Sequence, residues 1–361
     1  MKKLSILILA LLWLGIGAAA WFGPDGEVSE SERRKLAQFP EVTLKSVLEG
    51  DFMADFEDYT LDQFPLRDGF RRLKALFHYN VLAQKDNNDI YIADGYAAKL
   101  EYPLNEGSIR NAVEKFNAIY ENYLAGSKVT AAVVPDKGYF LAEENGYPAM
   151  DYEALQHIME EGMPWADFVD LRDTLDIGDY YRTDTHWRQE KITDAAAKLC
   201  EALDVTAFGD DELAPMEVER PFYGVYYGQA ALPMDAEHLY VMESDLLAGC
   251  TVYNHETGKI TGIYDWSKLD SSDLYDVYLS GAASLLTIEN PAAATDRELI
   301  VFRDSFGSSM IPLLVKDYAT VTVVDIRYIA GNLLDQFVDF HGQDVLLLYS
   351  TLVLNNSNSL K

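Results

Sequence analysis

Short, uncharged, strand-like runs alternate with segments of helical periodicity through most of this chain, and this alternation restricts the possible folds most strongly. The strands are expected at residues 129–134, 168–171, 298–303, 320–324 and 344–349. The helices are expected at residues 105–124, 152–161, 189–203, 306–316 and 332–341, the fourth with Pro312 inside it. Such alternation is typical of a parallel sheet sandwiched by helices, with functional residues at the carboxyl ends of its strands. The sequence therefore predicts an α/β fold.

Two stretches depart from this alternation. Residues 51–84 carry apolar side chains at helical spacing, and Pro65 is expected to interrupt that helix. Residues 213–295 hold short Tyr- and Val-rich runs broken by Gly, Asn and Asp, with a hairpin expected around residues 254–259. We therefore predict an α/β domain over residues 51–361 that contains a β-rich insertion at about 213–295.

The N-terminus has the pattern of an export signal. Lys2 and Lys3 precede an uncharged apolar run, residues 4–22, and Gly23-Pro24 follows it. The run is long enough to span a bilayer if it is not cleaved, and the small residues at 18–20 offer a cleavage site. We expect residues 1–24 to be an anchor or a signal peptide, and residues 25–50 to be an extended juxtamembrane segment. The rest would then lie outside the cytoplasmic membrane, either anchored to it or secreted.

The composition excludes several classes of partner and cofactor. The chain has 59 acidic and 29 basic residues and a net charge of −30, so nucleic acid and anionic lipid surfaces would repel it. Its two cysteines, Cys200 and Cys250, cannot form a disulfide framework, and their spacing does not show whether they pair. No Cys/His cluster has structural-zinc spacing. We expect no metal and no other cofactor.

Two motifs about 120 residues apart contain the parts of an acyl-transfer site. Asp184 lies two residues before His186, and Ser305 lies between a strand-like and a helix-like run. A serine at such a turn exposes its hydroxyl, a histidine can accept the hydroxyl proton, and an aspartate can orient the imidazole. Each motif alone has a simpler explanation, because Asp and Ser often cap helices. Their expected placement at one edge of one sheet favours the catalytic interpretation.

Several longer motifs carry a resemblance to a known family. The chain resembles the DHHW family of exported bacterial proteins and, more distantly, the SGNH-hydrolase-like proteins of alginate O-acetylation. The matching motifs lie at residues 32–40, 62–67, 135–137, 180–187, 222–224, 303–307 and 325–328. The sequence departs from the name-giving motif at Thr185, where the family has a first histidine, but His186 is retained.

This resemblance implies an SGNH-hydrolase-like fold with Ser305 as nucleophile, His186 as base and Asp184 as its orienting carboxylate. The Asp-His pair precedes the serine here, which implies a circularly permuted triad order. The Ser305 N–H is the natural first oxyanion donor. Arg327, Tyr328 and Lys137 are candidate substrate contacts, with structural ion pairs as the alternative for the charged ones.

The function implied is that of a membrane-tethered O-acetyltransferase or esterase that acts on a cell-surface polysaccharide. A multi-spanning membrane acyltransferase would be its partner, because acetyl groups must be supplied outside the membrane. The alternative is a non-catalytic carbohydrate-binding or assembly protein of the cell envelope that keeps the fold. An intact triad favours the first, and a Ser305 turned away from His186 would favour the second.

Overall fold

The fold was obtained as a computed structural model, which describes residues 2–29 and 31–361. The chain divides into two compact units. The first comprises the N-terminal residues through Asn88 together with Tyr227–Met234, and the second comprises Asp89–Tyr226 and Asp235–Lys361. The helix Val225–Ala230 contains a boundary between them.

The first unit contains the apolar N-terminal helix, Lys2–Phe22. Its residues Lys3–Phe22 have a mean hydropathy of 2.2, and among the described residues this is the one helix long and apolar enough to cross a membrane. A short antiparallel strand pair follows, formed by Val28–Ser29 and Arg34–Lys35. After it come the helices Leu44–Glu49, Asp51–Asp62 and Arg67–Asn80 and the two-residue strand Asp86–Asn87.

Two local signals explain where the helices of this unit begin and end. The break between its last two helices contains Pro65, as the sequence predicted. The stretch 25–50, expected to be extended throughout, includes a helix that begins after Thr43. The Thr43 hydroxyl caps this helix by accepting a hydrogen bond from the Ser46 N–H at 3.0 Å.

The second unit is built on an eight-stranded sheet whose strands we number in chain order. They are β1 (Val129–Val134), β2 (Ala166–Asp170), β3 (Thr251–Asn254), β4 (Lys259–Thr261), β5 (Leu285–Glu289), β6 (Arg297–Arg303), β7 (Tyr318–Val324) and β8 (Asp344–Ser350). Their order across the sheet is β4-β3-β5-β7-β6-β8-β1-β2. The five strands from β7 to β2 run parallel, and β3, β4 and β5 extend the sheet by antiparallel pairing. Strand β6, which precedes Ser305, therefore lies inside the parallel part.

Alternating side chains of the central strands supply two apolar cores, one on each face of the sheet. Val301 of β6 and Leu348 of β8 belong to one cluster, which also contains residues of the helix Thr193–Leu203. Ile300 of β6 and Leu347 of β8 belong to the other, with residues of two helices, Glu106–Ile119 and Tyr152–Gly162. Strands that are buried on both faces read as continuous apolar runs, which is why they stood out in the sequence. The predicted α/β fold class is confirmed.

The remaining elements of this unit surround the sheet. Two strand pairs lie outside it, namely Ile90–Ala93 with Tyr96–Lys99 and Ala214–Phe222 with Glu237–Glu243. Its other helices are Lys137–Leu141, Asp245–Gly249, Gly307–Met310 and Thr351–Leu354, and a π-helical turn at Tyr120–Leu124 follows Glu106–Ile119. Turns of 3₁₀ helix occur at Arg172–Thr174, Ile177–Asp179, Gln189–Lys191, Trp266–Asp270, Leu274–Val277, Ile311–Leu313, Gly331–Gln336 and Ser357–Ser359. Cys200 and Cys250 are both buried as free thiols.

The helix expected at residues 306–316 is much shorter than predicted. The α-helix ends at Met310, and the 3₁₀ turn Ile311–Leu313 follows it. Pro312 lies in this turn and has no N–H for a helical hydrogen bond. Farther along, the carbonyl of Val315 accepts its hydrogen bond from the Asn290 side chain at 2.9 Å, so this group is satisfied without a helix.

The helix expected at residues 332–341 is also wrong in extent, because the structure has only the 3₁₀ turn Gly331–Gln336 there. The apolar residues have helical spacing, but they pack on the second core cluster without forming a helix. Leu334 and Val338 are buried in the second core cluster, whereas the Phe340 ring stacks on Tyr123 with centroids 4.9 Å apart. Tertiary packing therefore overrides the local periodicity in this segment.

Candidate active site

Ser305 lies in a tight turn directly after the central strand β6. Asp304 is fully buried, and its carboxylate accepts hydrogen bonds from the Phe306 N–H at 3.0 Å and the Ser350 N–H at 2.7 Å. The second bond ties the turn to the end of the neighbouring strand β8. Gly307 follows where the backbone passes close to Arg303, since a Cβ at this glycine would lie 2.7 Å from the Arg303 Cβ. The sheet and these contacts together fix the position of the serine.

The hydroxyl of Ser305 faces an aspartate-histidine pair. Its Oγ lies 2.8 Å from Nε2 of His186, and Nδ1 of the same ring lies 2.6 Å from Oδ1 of Asp184. The Asp184 carboxylate is buried and also accepts hydrogen bonds from the His186 N–H at 3.0 Å and the Val225 N–H at 2.8 Å. The structure thus brings together the three residues that the sequence singled out, in an order that allows a proton to pass from hydroxyl to imidazole.

Aromatic contacts fix the plane of the imidazole. The Tyr275 ring stacks on His186 with centroids 3.9 Å apart and an interplanar angle of 9°. The Tyr275 hydroxyl shares a hydrogen bond with the Ser309 hydroxyl at 2.8 Å, and the Trp187 Nε1–H donates to the same Ser309 oxygen at 2.9 Å. Neither Tyr275 nor Ser309 was predicted from the sequence as part of the site. Nothing local marks Tyr275, which is one of 23 tyrosines and lies in the stretch interpreted as a β-rich insertion.

Lys137 is buried under the loop that carries the pair. Its side chain follows β1, as expected, but the residue is only 2% exposed. The ammonium donates hydrogen bonds to the backbone carbonyls of Tyr181 and Arg182 at 2.9 and 3.3 Å. Burial lowers the pKa of Lys137 to about 7, although nearby carboxylates act in the opposite direction. A contact between this group and a substrate stays a prediction.

Arg327 and Tyr328, the other candidate contacts, follow strand β7. The Arg327 guanidinium is half-buried and binds Asp325 through Nε at 2.9 Å and Nη2 at 2.6 Å. Asp325 is fully buried, and its carboxylate also lies 3.7 Å from the guanidinium of buried Arg303. It therefore pairs with both arginines. The Tyr328 side chain is exposed. The Tyr328 side chain is therefore more accessible to a ligand than the Arg327 guanidinium.

The backbone N–H of Ser305 is available to a ligand. Among the described residues, it makes no hydrogen bond to another group. A free N–H at this position could donate to an oxyanion, and that role stays a prediction. The described part of the chain contains no group of three or more His, Cys, Asp or Glu side chains arranged to hold a metal ion.

Comparisons with known proteins agree with this fold. The model of the DHHW protein family matches residues 170–324. Among solved structures, a DHHW family protein from Eubacterium siraeum is similar, with 21% identity, a TM-score of 0.61, and 76% of this chain and 94% of that chain covered. Bacillus cereus PatB1 with a sulfonyl adduct has 15% identity and a TM-score of 0.54, over 73% and 95% of the two chains.

A third structure, the O-acetyltransferase domain of Pseudomonas putida AlgJ, has 13% identity and a TM-score of 0.46, over 74% and 92% of the two chains. No curated protein matches the chain. The resemblance to DHHW proteins and the SGNH-hydrolase-like fold class are confirmed. The matched residues 170–324 include Asp184, His186 and Ser305.

Proposed function

We propose that this chain is an exported, membrane-tethered O-acetyltransferase or esterase that acts on a cell-surface polysaccharide. The observation that carries the proposal is the line of contacts from Ser305 Oγ to His186 Nε2, 2.8 Å apart, and from His186 Nδ1 to Asp184 Oδ1, 2.6 Å apart. Hydrogen-bond reach between nucleophile, base and orienting carboxylate is the geometry that acyl transfer requires.

In the first step the serine would become acylated. His186 Nε2 takes the proton from Ser305 as Oγ bonds to the acyl carbon, and Asp184 stabilises the resulting imidazolium. The carbonyl oxygen becomes an oxyanion near the Ser305 N–H. When this tetrahedral intermediate collapses, the bond to the leaving oxygen breaks and His186 gives the proton to that oxygen. The product is an ester on Ser305 and a free alcohol.

In the second step an acceptor hydroxyl would remove the acyl group. His186 takes the acceptor's proton as its oxygen attacks the ester carbon, and the bond to Ser305 Oγ then breaks with return of the proton to the serine. A sugar hydroxyl gives a transferase and water gives an esterase. Both outcomes use the same three side chains, so the triad alone does not choose between them.

The relatives support the chemistry and the setting. The similar PatB1 structure carries a sulfonyl adduct, and reagents of this class can be used to probe Ser305. The resemblance to alginate O-acetylation proteins suggests a polysaccharide as acceptor and a multi-spanning membrane acyltransferase as donor.

The apolar helix Lys3–Phe22 suggests tethering at the outer face of the cytoplasmic membrane. A C-terminal reporter that works only in the cytoplasm should be inactive, and its full activity would refute export.

Ester hydrolysis by a Ser305→Ala variant tests the catalytic proposal. The wild-type full-length chain should hydrolyse an activated acetyl ester, and Ser305→Ala should lose at least about 10⁴-fold in kcat, because no other group can hold the acyl intermediate. Ser267→Ala, at an exposed serine bound to Asp265, is the matched control and should keep wild-type activity. Full activity of folded Ser305→Ala would refute Ser305 as the nucleophile, whereas a folded wild type with no acyl-transfer activity and no labelling of Ser305 would favour the alternative, a non-catalytic carbohydrate-binding protein.

A further inference from the structure

The segment that leads into Asp184 has no regular secondary structure, so its backbone groups need partners elsewhere. On its carbonyl side the partner is Lys137. The ammonium donates to the carbonyls of Tyr181 and Arg182 at 2.9 and 3.3 Å, and the Ala97 N–H adds a third bond, to Arg182 at 2.8 Å. A buried cation therefore satisfies two adjacent carbonyl groups of the segment.

On its amide side the partner is Glu237, a buried carboxylate at the start of the strand Glu237–Glu243. The Arg182 N–H donates to Oε1 at 2.7 Å, and the Thr183 N–H donates to Oε2 at 2.6 Å. The Thr183 hydroxyl donates to the same Oε2 at 2.6 Å. Hydrogen bonds to ionised groups are shorter and stronger than neutral ones, so the Glu237 carboxylate holds the amides of residues 182 and 183 firmly, while the Lys137 amino group satisfies the carbonyls of residues 181 and 182.

The position of residues 181–183 also determines the position of Asp184. The Thr183 hydroxyl oxygen also accepts a hydrogen bond from the Gly224 N–H at 2.9 Å. The N–H of the next residue, Val225, donates to Oδ2 of Asp184 at 2.8 Å. Movement of Thr183 would therefore displace both the backbone of Asp184 and a donor that orients its carboxylate.

We propose that Lys137 and Glu237 are a pair of positioning residues that hold residues 181–183 from opposite sides and so align Asp184 with His186. The catalytic consequence rests on the proposed function, whereas the restraint on the loop does not. In this position the Lys137 ammonium points at loop carbonyls and lies 5.1 Å from the centroid of the Tyr226 ring.

The surroundings of Lys137 explain why a substitution tests this role better than a change of pH. The carboxylates of Asp136, Asp184 and Glu237 act on the ammonium, and the rings of Tyr96 and Tyr226 face it. Burial lowers the pKa of Lys137 to about 7, so the group titrates near neutrality. A neutral amine still has two N–H donors for the two carbonyls, and loss of the charge alone leaves both bonds possible.

The experiment uses Lys137→Met and Glu237→Gln in the full-length chain. Methionine keeps much of the lysine side-chain volume but leaves two carbonyls without a donor, and glutamine turns an N–H₂ group toward backbone N–H donors. Matched controls are Lys198→Met, at a lysine paired with Asp173, and Glu212→Gln, at a glutamate paired with Lys316. Two independent substitutions keep the test valid if one variant fails to fold.

Two measurements are made on each variant. In both test variants, hydrogen exchange of the amides in residues 180–188 should be faster than in wild type, while exchange in β6 is unchanged. The kcat for an activated ester should fall by about 10-fold to 100-fold with KM changed less than about 3-fold, since misalignment of reacting groups lowers the rate of the chemical step. Both control variants should behave as wild type.

Unchanged exchange together with unchanged kcat in either folded test variant would overturn the proposal. A fall in kcat that comes with faster exchange throughout the sheet would also contradict it, because that result describes general destabilisation. If wild type neither hydrolyses an activated ester nor becomes acylated at Ser305, the proposed function fails, and the exchange of residues 180–188 still decides whether the loop is held by this pair. Failure of one proposal can therefore be told from failure of the other.

Discussion

Ser305 and the Asp184–His186 loop meet at one point but are positioned by different kinds of structure. The serine follows β6, a parallel strand buried on both faces, and its turn is tied to the end of β8 through Asp304. The loop has no strand or helix, and buried side chains from distant parts of the chain hold its backbone. The sheet therefore positions Ser305, whereas individual polar contacts position the loop that carries His186.

This difference predicts how the two sides fail. A disturbance of the serine turn must move strands that pack against two apolar cores, so it should lower stability as well as activity. A disturbance of the loop can move a few residues without unpacking the sheet, so it should lower activity first. The predictions below break the site at each side in turn.

Removal of the base should have the largest effect. In His186→Ala, kcat for an activated ester should fall by roughly 10⁶-fold, because a neutral serine is a poor nucleophile without a proton acceptor. Asp184→Asn should cost less, about 10⁴-fold, since Asp184 orients and stabilises the imidazole without bonding to the substrate. Steady-state kinetics with a serine-labelling check would measure both. An Asp184→Asn variant with wild-type kcat would remove this carboxylate from the mechanism.

Alanine substitutions at two glycines should have smaller effects, one on the loop and the other on the serine turn. A Cβ at Gly224 would lie 2.2 Å from the backbone N and Cα of Asp184, and a Cβ at Gly307 would lie 2.7 Å from the Cβ of Arg303. Gly224→Ala should lower kcat by about 100-fold through misalignment of the loop. Gly307→Ala should instead lower the free energy of unfolding by about 1–3 kcal/mol through overpacking beside β6.

Kinetics and urea unfolding of the two alanine variants would show whether the effects separate in this way. The comparison predicts that Gly224→Ala loses more activity than stability and that Gly307→Ala loses clearly more stability than Gly224→Ala. The reverse ranking would mean that the loop, and not the sheet, is the rigid part of the site.

The same contrast explains what could be predicted from the sequence. The strands β1, β6, β7 and β8 were predicted nearly to their ends, because buried parallel strands form continuous apolar runs. Asp184, His186 and Ser305 could be identified because the motifs place three complementary groups near strand ends. Glu237 could not be found, since it is more than 50 residues from the backbone amides that it binds.

Tertiary contacts account for what the sequence did not reveal. The burial of Lys137 depends on distant parts of the chain, and the motif at residues 135–137 does not show it. The helix expected at residues 332–341 followed local periodicity, but stacking of Phe340 on Tyr123 and burial of Val338 determine the observed path. In each case the deciding partner is far away in the sequence, so no local pattern records it.

Covalent labelling of the full-length protein with a sulfonyl fluoride, followed by intact-mass measurement and peptide mapping, tests directly whether Ser305 is the nucleophile. We expect one adduct per chain, located on Ser305 and absent from Ser305→Ala, with labelling of His186→Ala slowed to the level of an ordinary serine. Equal labelling of folded wild type and Ser305→Ala, or an adduct at another residue, would contradict the assignment of Ser305 as the nucleophile.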